Sequence, residues 1–241
     1  MKNGNLIECR ELTKNFGSKV ALDRVDLNIG RGKVVGLLGP NGSGKTTLIK
    51  LMNGLIRPTY GEVLIDGQQP GTHTKAIVSY LPDKTYFADW MTVKDILDMF
   101  SEFYEDFDRS KAENMCASMS INIRDRIKTM SKGTKEKVQL ILVMSRKAQL
   151  YLLDEPIAGV DPAARDYILT TIINNYNEEG TVIISTHLIS DIEKVLDEAI
   201  FICNGKIMRH DTVDDIRETT GRSVDELFRA EFRAVPSQGG R

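Results

Sequence analysis

The nine residues Gly39-Pro40-Asn41-Gly42-Ser43-Gly44-Lys45-Thr46-Thr47 concentrate more potential chemistry than any other stretch of this chain. Gly39, Gly44, Lys45 and Thr46 fit the spacing G-x-x-x-x-G-K-[ST], a loop whose backbone N–H groups wrap a phosphate chain. Glycine is needed there because a Cβ would block both the required torsions and the close approach of an anion. Lys45 supplies a point charge for the β- and γ-phosphates, and the Thr46 hydroxyl is a ligand for Mg²⁺. A helix beginning near Lys45 would add the positive end of its dipole. The pattern predicts a bound nucleoside triphosphate.

Two further places fit that chemistry. "LYLLDEP" puts Asp154 and Glu155 at the end of an apolar run. A carboxylate in that position can hold Mg²⁺ through water, and its neighbour can polarise an attacking water. Alone, Asp-Glu-Pro after a strand is as easily a turn; downstream of a phosphate loop it reads as a metal and base pair. His187, one of three histidines, directly follows the apolar "TVIIST", at the carboxyl end of a strand, where open α/β sheets place ligands.

The elements that must position these residues are legible around them. "KVVGLLG" before the phosphate loop reads as a buried strand, and "TTLIKLMNG" after it as a helix capped by Gly54. "LIECREL" and "VALDRVDLNI", broken by Gly17 and Gly30, predict antiparallel strands, and "GEVLIDG" another. From 83 to about 148 the character changes. Thr92 and Asp95 form a capping-box pattern, and Val93, Ile96, Leu97, Phe100, Phe103 and Phe107 recur at helical spacing. Strands at 150–154 and 181–186 flank a helix near 163–177, which implies a parallel sheet. "AIFICNGKIMRHD" predicts a hairpin about Asn204-Gly205. The chain is thus read as one domain over 1–241: a nucleotide-binding core from 1–82 and 149–210, a helical part at 83–148, and a C-terminal helix and tail at 211–241, the tail after Pro236 forming no element.

Composition sets limits. A net charge of -2 gives no electrostatic reason to expect nucleic acid. Cys9, Cys116 and Cys203 are odd in number and widely spaced, which fits a reducing compartment better than a disulfide framework. The opening "MKNGNLIECRELTKNF" has no apolar signal region, and the longest apolar run, "VQLILVM", is far short of the roughly 20 residues that span a bilayer.

With these motifs in their order, the chain resembles the ATP-binding subunit of an ABC transporter over essentially its whole length. The resemblance implies an α/β fold: a P-loop NTPase (RecA-like) core with an antiparallel β subdomain and an inserted α-helical subdomain. It implies ATP and Mg²⁺ as cofactors, the loop 39–47 holding the nucleotide and Thr46 and Asp154 the metal. Phe16 in "KNFG" stands where the family stacks an aromatic ring on adenine. Lys45, Glu155 and His187 are the implied catalytic residues, and Asp161 in "AGVDP" matches the D-loop at the dimer interface.

Two positions depart from the family pattern. Asp83 follows Leu-Pro where the family usually has Gln; an Asp can still ligate the metal but adds negative charge near the phosphates. "MSKGT" at 130–134 replaces Leu-Ser-Gly-Gly-Gln, keeping Ser131 and Gly133 but placing Lys132 where glycine is usual. In the family this signature contacts the γ-phosphate bound by the opposite subunit, so a head-to-tail homodimer or heterodimer is implied. The implied partner is a separate transmembrane subunit, with no nucleic acid, and the implied location is the cytoplasmic face of the cell membrane. Tyr86, Phe87 and Trp90 are candidates for contact with that subunit. The ending "GRSVDELFRAEF" resembles subunits paired with exporter-type membrane proteins. The alternatives are a soluble ABC ATPase of translation or DNA maintenance, and a P-loop small-molecule kinase.

Overall fold

The computed structural model describes residues 4–232; the tail after Pro236 lies outside the described residues. The chain opens with β1 (Ile7–Phe16) and β2 (Lys19–Ile29), an antiparallel hairpin. β3 (Val34–Leu38), α1 (Lys45–Met52) and β4 (Tyr60–Ile65) follow. β4 returns to the free side of β1, giving a three-stranded antiparallel sheet in the order β2-β1-β4. α1 stops at Gly54, whose φ of +67 lets its N–H reach Leu51 O while Leu55 N–H reaches Lys50 O. Two end-of-helix carbonyls are satisfied in this way.

α2 (Thr72–Ile77) and β5 (Val78–Leu81) lead into the helical stretch: α3 (Val93–Phe103), α4 (Arg109–Ser118) and α5 (Lys132–Met144). Then come β6 (Leu150–Asp154), α6 (Pro162–Asn175), β7 (Thr181–Thr186), α7 (Ile189–Ile192), β8 (Glu198–Cys203), β9 (Lys206–Thr212), α8 (Val213–Thr220) and α9 (Val224–Phe232). The second sheet runs β5-β6-β7-β3-β8-β9, parallel throughout except for antiparallel β9 at its edge. The β8–β9 turn falls on Asn204 and Gly205 as expected, at φ +47 and +76, the left-handed pair that a two-residue hairpin of matching twist requires.

Strand alternation divides the interior into two cores. Val34 and Leu38 of β3 face the core shared with the helical stretch, α6, α7 and α9. Val35 and Leu37 face the other core, which holds α1 and the three-stranded sheet. Both faces of the central strands are covered, so they read as unbroken apolar runs. α9 docks by its aromatic side: Phe228 and Phe232 lie 5.3 and 6.1 Å from the buried Phe201 ring of β8.

α3 starts on the expected capping box, Thr92 Oγ1 accepting from Asp95 N at 3.1 Å and Thr92 N donating to Asp95 Oδ2 at 2.8 Å. Val93, Ile96, Leu97 and Phe100 are buried, but Phe103 is 74% exposed, against the expectation. At ~100° per residue Phe103 lies roughly 70° off the centre of the buried arc. Tyr104 and Phe107 continue the packing instead, 5.3 and 5.6 Å from the Phe100 ring.

Candidate functional site

At Gly39 and Gly44 the loop between β3 and α1 lies so close to β8 and β2 that a side chain would not fit. A Cβ on Gly44 would fall 2.7 Å from Ala21 O, and Gly44 has φ +113. Its chain reversal points the first turn of α1 into a cleft of about 1360 Å³. Lys45 is buried, donating from Nζ to Gly39 O at 2.8 Å and Pro40 O at 3.2 Å, and it lies 3.3 Å from Glu155 Oε1. The ammonium is therefore desolvated but held by two carbonyls and a carboxylate, a setting that a phosphate could take over.

β6 delivers the acids. Asp154 Oδ1 accepts from Thr46 Oγ1 at 3.1 Å and from Ser185 Oγ at 2.7 Å, while the buried Oδ2 has no hydrogen-bond partner among the described residues. Burial raises the Asp154 carboxyl above its ordinary value; the Ser185 and Thr46 hydrogen bonds oppose the shift, and the charges of Asp83 and Glu155 reinforce it. Glu155 takes φ +51, a left-handed conformation costly for a non-glycine residue unless its surroundings enforce it. Here Ser185 does so: Glu155 N donates to Ser185 O at 3.1 Å and to Ser185 Oγ at 3.0 Å. The turned backbone brings Glu155 Oε2 to 3.1 Å from His187 Nδ1.

Asn41, Gly42, Thr47 and most of the remaining predicted residues line the same cleft, whereas Gly39, Pro40 and the buried Ser43 do not. Phe16, half-exposed, is one of the cleft's lining residues. Ser131 and Gly133 line it as well. Ser131 is the N-cap of α5, its Oγ accepting from Thr134 N at 3.1 Å. Lys132 is exposed, 3.7 Å from Glu136 Oε1. Asp161 caps α6, its Oδ1 accepting from Ala164 N at 3.1 Å. Asp83 also lines the cleft. Nearby, the buried Tyr80 hydroxyl has no hydrogen-bond partner among the described residues, and burial followed by the charges of Asp154 and Asp83 pushes it well above the usual phenol range.

Sequence reasoning missed two residues here. Ser185, which holds both acids, was signalled only by a hydroxyl inside the apolar "TVIIST". Gln139, buried in α5, donates from Nε2 to Pro82 O at 3.1 Å and fixes the segment carrying Asp83. Its signal was a lone amide in the apolar run "VQLILVM".

The ABC transporter family model matches residues 22–158, more than half of the chain. The ABC transporter ATP-binding protein YtrB of Bacillus subtilis is 31% identical over 216 residues, 88% of this chain and 74% of that protein. The chain belongs to the ABC transporter family. It is the family's ATP-binding, ATP-hydrolysing subunit, and it powers a transporter. A solved structure described as the ATP-binding subunit of an ABC transporter superposes with a TM-score of 0.80 at 26% identity, covering 93% of this chain and 98% of that one. The dimeric post-hydrolysis ATP-binding cassette MJ0796, bound to ADP and Pi, has the same fold (TM-score 0.74, 21% identity, 86% of this chain and 98% of that one). The P-loop core, antiparallel sheet and inserted helices are thus the fold of this family, and neither a kinase nor a transport-independent ATPase is supported. Among the described residues no helix is long and apolar enough to cross a membrane.

Proposed function

We propose that the chain works as a head-to-tail dimer, with itself or with a related ATP-binding subunit, that closes on two ATP molecules and opens when they are hydrolysed. Each ATP lies between Phe16 with the 39–47 loop of one subunit and Ser131 with Gly133 of the other, while Asp161 runs along the interface. The observation that carries this reading is convergence: the Thr46–Asp154 and Glu155–His187 bonds lie in one cleft that the helix start at Ser131 also lines. A helix N-terminus with a small residue at Gly133 presents backbone N–H groups suited to an anion.

Glu155 is the group that takes the proton of the attacking water, and His187, on its other oxygen, orients that water near the γ-phosphate. Lys45 exchanges the Gly39 and Pro40 carbonyls for phosphate oxygens. Thr46 and Asp154 would hold Mg²⁺, with Asp83 a further contact; the unpartnered Asp154 Oδ2 is the acceptor that such an ion or its water would satisfy. When bound, the ion neutralises charge developing on the transferring phosphoryl group.

In this proposal the core (1–82 and 149–210), the helical part (83–148) and the C-terminal part (211–241) are the working units, and the subunit sits at the cytoplasmic face of the membrane. Tyr86 and Trp90, both exposed, with the half-buried Phe87, meet the separate transmembrane subunit. The exporter-like ending favours outward transport. The reading is tested by the hydrolysis rate per chain against protein concentration. A rate that climbs with concentration and then saturates is expected; a rate independent of concentration would overturn the dimer. In the same assay Asp83→Gln is expected to move the Mg²⁺ concentration for half-maximal rate, and no movement removes Asp83 from the metal site.

A further inference from the structure

The loop carrying Asp161 and the segment carrying His187 are joined by one side chain. Arg165, in the first turn of α6, donates from Nε to Val160 O at 2.9 Å and from Nη1 to Asp191 Oδ2 at 2.9 Å. Its backbone N–H adds a bond to Asp161 O at 3.1 Å. Asp191 lies on α7, the short helix that follows His187. Both members of the ion pair are mostly buried, with 24% and 29% of their side chains exposed. A planar guanidinium fixes the angle between its donors, so it sets two partners relative to one another, where an ammonium would fix only a distance.

We propose that Arg165 is a positioning residue for hydrolysis, tying the loop at Val160–Asp161 to α7 so that displacement of that loop moves His187 relative to Glu155. The path is continuous: Val160 O to Arg165, Arg165 to Asp191, the backbone of α7 to His187, and His187 Nδ1 to Glu155 Oε2 at 3.1 Å. Every link is a hydrogen bond or a short stretch of chain, the kind of contiguous network that carries coupling between sites. The consequence is that a second subunit touching the 160–161 loop would tune the catalytic pair without contacting it. This inference rests on the roles given above to His187 and to the dimer.

The test is a double-mutant cycle in the whole chain, with Arg165→Gln, His187→Ala and the pair, each checked for an unchanged melting temperature and assayed for kcat and KM of ATP hydrolysis. Arg165→Gln is expected to lower kcat about tenfold while KM stays within about twofold, the signature of an effect on chemistry rather than on ATP binding. In the His187→Ala background the same change is expected to cost less than about twofold, because its route is already cut. An equal loss in both backgrounds, or a rise in KM at constant kcat, overturns the proposal while leaving the role of His187 intact. If His187→Ala alone hydrolyses ATP at the wild-type rate, the role of His187 falls and the inference falls with it. Should Arg165→Gln fail to fold, Asp191→Asn breaks the same path while keeping the Val160 bond, and the same outcomes apply.

Discussion

One wall of the cleft, made by the 39–47 loop and the ends of β6 and β7, is interlocked through its own side chains: Lys45 with Gly39, Pro40 and Glu155, Thr46 and Ser185 with Asp154, Glu155 with His187. The wall made by Ser131 to Thr134 is exposed or half-exposed, and its Ser131–Thr134 bonds do no more than start α5. The first wall has its charged groups already held in place, at the cost of a buried acid and a left-handed Glu155. The second is a plain helix end, to which the proposed dimer gives a purpose by setting the other subunit's phosphate against it. The contrast is what the proposed shared site would require: a rigid chemical half, and a half that engages and releases.

The largest break in that contrast comes from Glu155→Gln. Losing the base is expected to cut kcat about 100-fold or more, with ATP affinity within about threefold of wild type, measured by steady-state hydrolysis and nucleotide titration. A rate within tenfold of wild type would remove Glu155 from the role of base.

A glycine in each wall sharpens the comparison through stability. A Cβ at Gly39 would lie 2.3 Å from Ile202 O and 2.6 Å from Ser43 Oγ, whereas one at Gly133 meets nothing within 4 Å. Gly39→Ala is expected to cost about 1–3 kcal/mol in urea unfolding. Gly133→Ala is expected to gain about 0.5 kcal/mol, since alanine is the better helix former. Equal effects at the two positions would mean that the walls do not differ in rigidity as described.

The smallest effect is pH-dependent. Because burial raises Asp154 in the folded state, the native chain binds the proton more tightly than the unfolded chain, and stability falls as pH rises from the ordinary aspartate value through the raised one. Asp154→Asn removes that loss. It is expected to melt about one degree higher than wild type at pH 7, with the advantage shrinking toward pH 4. A melting difference that does not change with pH would show that the buried charge is not its source.

The site was legible where function demands fixed residue types at fixed spacing. Glycines that must admit a phosphate, a lysine and a threonine on the first helical turn, and acids at a strand end leave a pattern in one dimension. Gly54 and Asn204-Gly205 were legible for a similar reason, since left-handed backbone restricts the residues that can stop a helix or turn a hairpin. β5 was not: "VSYL" follows α2 directly, has no bounding glycine, and includes a buried serine whose hydroxyl bonds Val143 O. Phe103 misled because helical spacing alone ignores where the buried arc is centred. Ser185, Gln139 and Arg165 bond partners far away in the sequence, so their meaning is visible only once α5 meets the end of β5, β6 meets β7 and α6 meets α7.

The central claim, that two chains share two nucleotides across these unlike walls, is tested most directly by the molecular mass of the Glu155→Gln chain in ATP and Mg²⁺, measured by light scattering together with bound nucleotide. The account predicts a species of two chains holding two ATP molecules, which reverts to monomer when ATP is removed and fails to form when Gly133→Asp sets a carboxylate against the phosphate. A monomer that binds one ATP under these conditions, or a dimer indifferent to both ATP and Gly133→Asp, would contradict it.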